Sequence, residues 1–325
     1  MIAAPGPFIG QEAAWHEWIE AVRSERMHHA WLLSGPRGLG KRAFARAAAA
    51  ELVGSPPNQS LDASAHPDII VLDHLPASDD DARKKADGKP YQSKRNITVD
   101  QVRRMQQRLT TRPTLGNRRA IIIDPADDLE KGSVNALLKS LEEPPAGTHF
   151  ILIAHQPGRL LPTVRSRCRI LRFAPLSPDQ LDAVIRRDAP ESSAQDRAAA
   201  IAAANGSPGI ALNFIEQDLS TIHGLMMQIL DDGDRDFHLR GALASEMGAR
   251  PGRERQLAAL ELARSVLVAQ LGTASRPRQS RIINAHEALT SLNAQAPTYN
   301  FDAGLLIMEI GGLLASAAMP REAAR

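Results

Sequence analysis

Gly35, Gly38, Gly40 and Lys41 are the residues whose spacing most directly implies chemistry. They lie in the run Gly35-Pro36-Arg37-Gly38-Leu39-Gly40-Lys41. Glycines at these intervals let backbone N–H groups crowd around phosphate oxygens, and the lysine can neutralise β- and γ-phosphate charge. Asp124 is the matching acid. It ends the β-branched run Arg118-Arg119-Ala120-Ile121-Ile122-Ile123, and a buried strand of that kind delivers a carboxylate to Mg²⁺ beside a phosphate loop. The residue after Lys41 breaks the pattern. A serine or threonine there would hold Mg²⁺ through its hydroxyl. The chain instead has Arg42, which offers no acceptor and brings positive charge to the place of the cation.

Other reactive groups offer less. Cys168 is the single cysteine, which excludes an internal disulfide framework and any cysteine-based zinc site and fits a reducing compartment. No paired histidine and asparagine pattern supports it as a nucleophile, so it reads as a small buried residue. Glu142 and Glu143 are adjacent on a helical stretch and do not face each other, so they are not read as an acid/base pair. His28 and His29 are also adjacent, lack metal-ligand spacing, and read as the lead into a strand.

The elements that must position these groups follow from periodicity. An apolar run, Ala30-Trp31-Leu32-Leu33, precedes the glycine loop and an alanine-rich helical run, Ala43 to Leu52, follows it; strand, loop and helix are the context in which the motif means a phosphate cradle. Further strands are expected at Ile69–Leu72, at the run ending in Asp124, at Phe150–Ala154 and at Ile170–Phe173. Helices separate them. Trp15, Trp18, Ile19 and Val22 form one apolar stripe over 9–25, read as core. Thr98 and Gln101 make a capping box for a helix with Val99, Val102, Met105 and Leu109 inward. Its Arg103, Arg104 and Arg108 suit an ordinary exposed face, with phosphate contact as the alternative. A helix from Ser133 to Glu143 stops at Pro144-Pro145. The alternation predicts a parallel α/β sheet. Residues 76–95 are nearly all charged or small and read as a solvated, flexible insertion. Past Pro175 the pattern is helical only. It opens with Ser177-Pro178-Asp179, is interrupted at Gly206-Ser207-Pro208-Gly209, and is clearest at Gln256–Leu271 and Phe301–Ala318.

With 325 residues the chain has room for two or three domains. A net charge of +2 gives no global argument for nucleic acid, so any basic surface must be local. Met1-Ile2-Ala3-Ala4-Pro5 lacks the charged and apolar regions of a signal peptide, and no run approaches the ~18 apolar residues of a membrane span. The expected location is cytoplasmic.

These residues resemble one family, the AAA+ subunits of bacterial DNA polymerase III clamp loaders. The likeness rests on His29-Ala30 with the glycine loop through Lys41, on Asn135-Ala136-Leu137-Leu138-Lys139-Ser140-Leu141-Glu142-Glu143-Pro144-Pro145, and on Ser166-Arg167-Cys168. It spans roughly residues 8–215. The stretches Arg159–Arg169 and Gly206–Gly209 look most like the delta-prime branch. The resemblance implies an α/β AAA+ base (a RecA-like parallel sheet with a P-loop) over 1–173 and a small helical lid over 174–218. An all-α collar over 219–325 would then assemble a five-subunit ring. It implies as partners the ATPase motor subunits and the delta subunit, with a sliding clamp and primed DNA in the assembled loader, and no membrane. Family members often carry a four-cysteine zinc module after the P-loop helix; residues 53–66 hold no cysteine, so no zinc is expected.

The same resemblance bears on activity. In the family's ATPases a glutamate follows the strand aspartate and polarises the attacking water; here the position is Pro125, and general-base help is worth about 10²–10⁴-fold. The lid arginine that senses the γ-phosphate falls on Gly209, and the polar sensor after the fourth strand is blurred into Ala154-His155. The implied state is a degenerate nucleotide site (Gly35, Gly38, Gly40, Lys41, Arg42 and Asp124) with weak or absent nucleotide binding, no required cofactor and no intrinsic hydrolysis. Arg167 points the other way. The resemblance assigns it to a finger that reaches the ATP of a neighbouring subunit, where a planar guanidinium is worth about 10³–10⁵-fold in phosphoryl transfer. The alternatives are an active motor subunit of the gamma/tau kind with a variant P-loop, a plain DNA-binding module, and, for Arg167, a local ion pair at a strand entrance.

Overall fold

The computed structural model describes residues 8–24, 27–54, 66–89, 91–295 and 301–318. Most of the 53–66 stretch, to which the zinc expectation applies, lies outside them. The chain forms two compact units, Met1–Pro175 and Leu176–Arg325.

The first unit contains, in chain order, α1 (Glu12–Arg23), β1 (Ala30–Ser34), α2 (Lys41–Val53), β2 (Ile69–Leu72), α3 (Asp79–Ala86), α4 (Val99–Leu109), β3 (Arg119–Ile123), α5 (Lys131–Glu142), β4 (Thr148–Ala154), α6 (Pro162–Arg165) and β5 (Arg169–Arg172). The strands make one five-stranded sheet in the order β2-β3-β4-β1-β5, every pair parallel. This is the α/β base the motifs imply. Strands covered on both faces must be apolar through their middles, and β1, β3 and β4 are: Leu32, Ile121 and Leu152 are fully buried, and the polar residues Ser34, Arg119, Thr148 and His149 stand at the strand ends. Register then fixes the site. Ser34 lies level with Ala154 and Arg172, and Ile123 with Leu72 and Leu152. The glycine loop after β1, Asp124 after β3 and His155 after β4 therefore emerge at one end of the sheet, outside the carboxyl ends of the strands, where α/β proteins bind ligands.

The tryptophans of α1 serve the core, as their spacing predicts. Trp18 is fully buried and meets Trp31 edge-on with ring centroids 5.2 Å apart, while Trp15 meets Phe44 of α2 at 5.3 Å. Residues 76–95 require a correction. They are not loop throughout: α3 forms over Asp79–Ala86, and a bridge pairs Pro76 with Ser93. The reason lies in the order of the charges. Asp79, Asp80 and Asp81 occupy the first turn and Arg83, Lys84 and Lys85 the last, complementing the helix dipole. Lys84 also pairs with Asp80 one turn back at 2.6 Å. Asp81 is buried, accepting from Ser78 Oγ at 2.6 Å and from the Gln92 N–H at 2.9 Å, which ties the end of the segment to its start.

In the second unit every described element is a helix: α7 (Pro178–Asp188), α8 (Ala194–Ala204), α9 (Pro208–Glu216), α10 (Ser220–Asp232), α11 (His238–Met247), α12 (Arg253–Leu271), α13 (Arg276–Gln295) and α14 (Ala303–Ala317). Ser177 caps α7 with Pro178 at its first position. The break at 206–209 is a tight helix-to-helix junction. Asn205 ends α8 in the left-handed region and Ser207 caps α9. Asn205 Nδ2 also donates to Ser265 Oγ of α12 at 2.6 Å, so that junction is anchored on α12. No helix among the described residues is long and apolar enough to cross a membrane.

Candidate functional site

Backbone geometry explains two of the loop glycines without any ligand. Gly35 has a positive φ, and a side chain there would collide with the carbonyl oxygen of Phe173, so only glycine lets the loop pass the end of β5. Gly40 caps α2 in the left-handed region with φ 77°. Gly38 shares that φ. The loop thus keeps the shape of a phosphate cradle on a helix N-terminus.

Lys41 opens α2 and is almost wholly buried. Its ammonium donates to two carbonyls of its own loop, Gly35 O at 2.6 Å and Pro36 O at 2.5 Å. Burial lowers its pKa to about 8, against the opposing pull of Asp127 and Asp124. Arg42 turns to the other side and its Nε donates to Asp124 Oδ2 in a close ion pair. The Asp124 side chain is only 5% exposed, while Arg42 is 59% exposed at the rim. The strand acid that would face Mg²⁺ is therefore occupied by a guanidinium, and that guanidinium comes from the loop position where a hydroxyl would stand. The donor set does not fit a magnesium–nucleotide complex.

His155 stands beside this pair at the exit of β4. Its backbone N–H donates to Asp127 Oδ2 at 2.5 Å and that of Gln156 to Asp127 Oδ1 at 3.2 Å. Its Nδ1 is buried without a hydrogen-bond partner. Burial, then the charges of Lys41 and Arg37, push the imidazole down to about 3, so it is neutral. Asp127 was not singled out by sequence reasoning. Its role is to clamp the exit of β4 against the 3₁₀ turn Ala126–Asp128, a through-space contact that leaves no spacing signal.

Arg167 lies elsewhere in the first unit, just after α6. Its Nη2 pairs with Glu142 Oε1 at 2.7 Å, and its Nη1 donates to Thr163 O at 2.9 Å. The side chain is 34% exposed and that of Glu142 50%. The local ion pair anticipated as the alternative is thus present in the chain alone. Glu142, at the end of α5, does not face Glu143, and its partner lies 25 positions on, a distance that leaves no spacing signal. Cys168 has its thiol pushed up to about 12 by burial, which removes it as a nucleophile. Arg103, Arg104 and Arg108 are exposed on α4, with Arg103 near Asp100 at 3.6 Å and Arg108 donating to Pro67 O at 2.9 Å. Gly209 is the second residue of α9 and brings no side chain.

Residues 10–177 match the family described as DNA polymerase III, delta subunit, which is more than half of the chain. The chain belongs to this family. The delta-prime subunit of Pseudomonas aeruginosa is 35% identical over 211 residues, covering 59% of this chain and 59% of that protein. The delta-prime subunit of Escherichia coli K12 is 31% identical over 224 residues, covering 63% and 62%. The resemblance read from the motifs is borne out, including its delta-prime branch. The aligned region spans about three-fifths of the length of these relatives. Among solved structures, a gamma subunit-related protein of Thermotoga maritima aligns with 93% of this chain and 98% of its own, at 17% identity and a TM-score of 0.47.

Proposed function

We propose that this chain serves as a delta-prime subunit of a bacterial DNA polymerase III clamp loader, forming a wall of the five-subunit ring that hydrolyses no ATP itself. In this reading residues 1–173 are the base, 174–218 a lid and 219–325 a collar that holds the ring together. Its partners are the ATPase motor subunits and delta, and through the assembled loader a sliding clamp and primed DNA in the cytoplasm. Arg167 is the finger offered to the ATP of a neighbouring motor subunit.

One observation carries the first half of this reading: the ion pair of Arg42 with Asp124. It puts a fixed cation on the acid that a working site needs for Mg²⁺, and Pro125 supplies no base for water. Retention of Lys41 in an intact glycine loop is what favours the rival, an active motor subunit. Titration of the isolated chain with ATP, with and without Mg²⁺, separates the two. The proposal expects no Mg²⁺-dependent tightening and no turnover above background. Turnover that Lys41→Ala abolishes would establish the motor instead.

A further inference from the structure

We propose that Glu142 is a positioning residue for Arg167, holding the finger on its own subunit until a neighbour's phosphate displaces it. This rests on the reading of Arg167 given above. Three observations carry it. Arg167 Nη2 is 2.7 Å from Glu142 Oε1 while Nη1 is held at 2.9 Å by Thr163 O, so the planar guanidinium is fixed along one edge. The two contacts differ in kind. Thr163 O lies four residues back in the chain, on α6, and keeps the side chain in one orientation; Glu142 lies on α5 and supplies the only carboxylate the guanidinium meets among the described residues. Both partners of the ion pair are substantially exposed, which makes the pair weak enough to exchange.

The electrostatics set the direction of the effect. Glu142 cannot accompany the guanidinium to a γ-phosphate, because a carboxylate beside that group adds like charge where the finger must neutralise it. The pair must therefore open before the finger works. A triphosphate carries more negative charge than one carboxylate and takes the arginine when ATP is bound next door; without ATP, Glu142 keeps it. Opening the pair is a toll on every engagement, and removing the charge of Glu142 lowers it.

The experiment is steady-state ATPase of the reconstituted loader with Glu142→Gln, alone and combined with Arg167→Ala. Glutamine keeps the shape at an exposed helix end and removes the charge. The expected result is a rise in kcat/KM for ATP of about two- to fivefold, the range set by exposed ion pairs. It should be carried mainly by a lower KM, and it should vanish in the Arg167→Ala background, since Glu142 acts only through Arg167. An unchanged or lower kcat/KM overturns the holder, and so does a gain that survives Arg167→Ala. These outcomes leave the finger itself standing if Arg167→Ala alone still cuts the ATPase. An inert Arg167→Ala overturns the finger and its holder together.

Discussion

At the scale of the residue, the proposal of a site without hydrolysis rests on what Arg42 touches as much as on what it lacks. Its guanidinium sits on Asp124, and the lysine of the loop is turned onto Gly35 O and Pro36 O. Arg42→Ala strands a nearly buried carboxylate. Because the arginine is mostly exposed, the loss should be about 1–2 kcal/mol rather than the about 3–5 of a fully buried pair, read by urea unfolding. His155 gives a pH signature. Its folded pKa, about 3, lies below the ordinary 6.5, so the neutral ring contributes stability that is fully present above 6.5 and is lost as pH falls toward 3. His155→Gln should flatten the fall in melting temperature across that window. A slope as steep as in the unmodified chain would mean the imidazole is already solvated. The glycine loop, Lys41, Arg42 and Asp124 were all legible, because their chemistry depends on short spacing. Asp127 and Glu142 were not, because each acts on a group brought near only by the fold.

Among the elements, the α4–β3 connection shows how a loop is made rigid. Asp68, ahead of β2, accepts from the Thr114 and Leu115 N–H groups at 2.6 and 2.8 Å. Arg119, at the start of β3, donates to the carbonyls of Arg108, Thr111 and Arg112 at 2.6, 3.1 and 2.8 Å. Burial works to raise the Asp68 pKa, but the N–H bonds from Leu115 and Thr114 and the charge of Arg119 outweigh it and hold the carboxyl below its ordinary 3.8. Its contribution is therefore present above 3.8 and lost as pH falls through the lowered value. Asp68→Asn should cost about 1–3 kcal/mol at pH 7 and little once the native carboxyl is protonated, measured by thermal unfolding at both ends of the range. An equal loss at both ends would assign the effect to packing. The inner strands were readable because buried parallel strands are short continuous apolar runs; the edge strand β5, Arg169–Arg172, is mostly exposed and shows only Ile170 and Leu171 of that pattern. The helix α3 was not, because composition counts charges without their order, and here acid before base along two turns makes the helix.

For the whole molecule, the proposed role is that of a subunit whose effect appears only in the assembled ring. Its net charge of +2 gives the isolated chain little electrostatic hold on DNA. DNA affinity should accordingly be weak for the chain alone and appear with the assembled loader; tight, steeply salt-dependent binding by the monomer would favour a DNA-binding module instead. The helical second unit was legible as helices but not as an arrangement, since amphipathic stripes do not say which helix each one covers. The most direct test of the central claim is the ATPase rate of the reconstituted, clamp- and DNA-stimulated loader carrying Arg167→Ala. The account predicts a large fall, toward the about 10³-fold lower bound for such fingers at the one ATP site served, with assembly intact. A loader that assembles and hydrolyses ATP at the unmodified rate would contradict it.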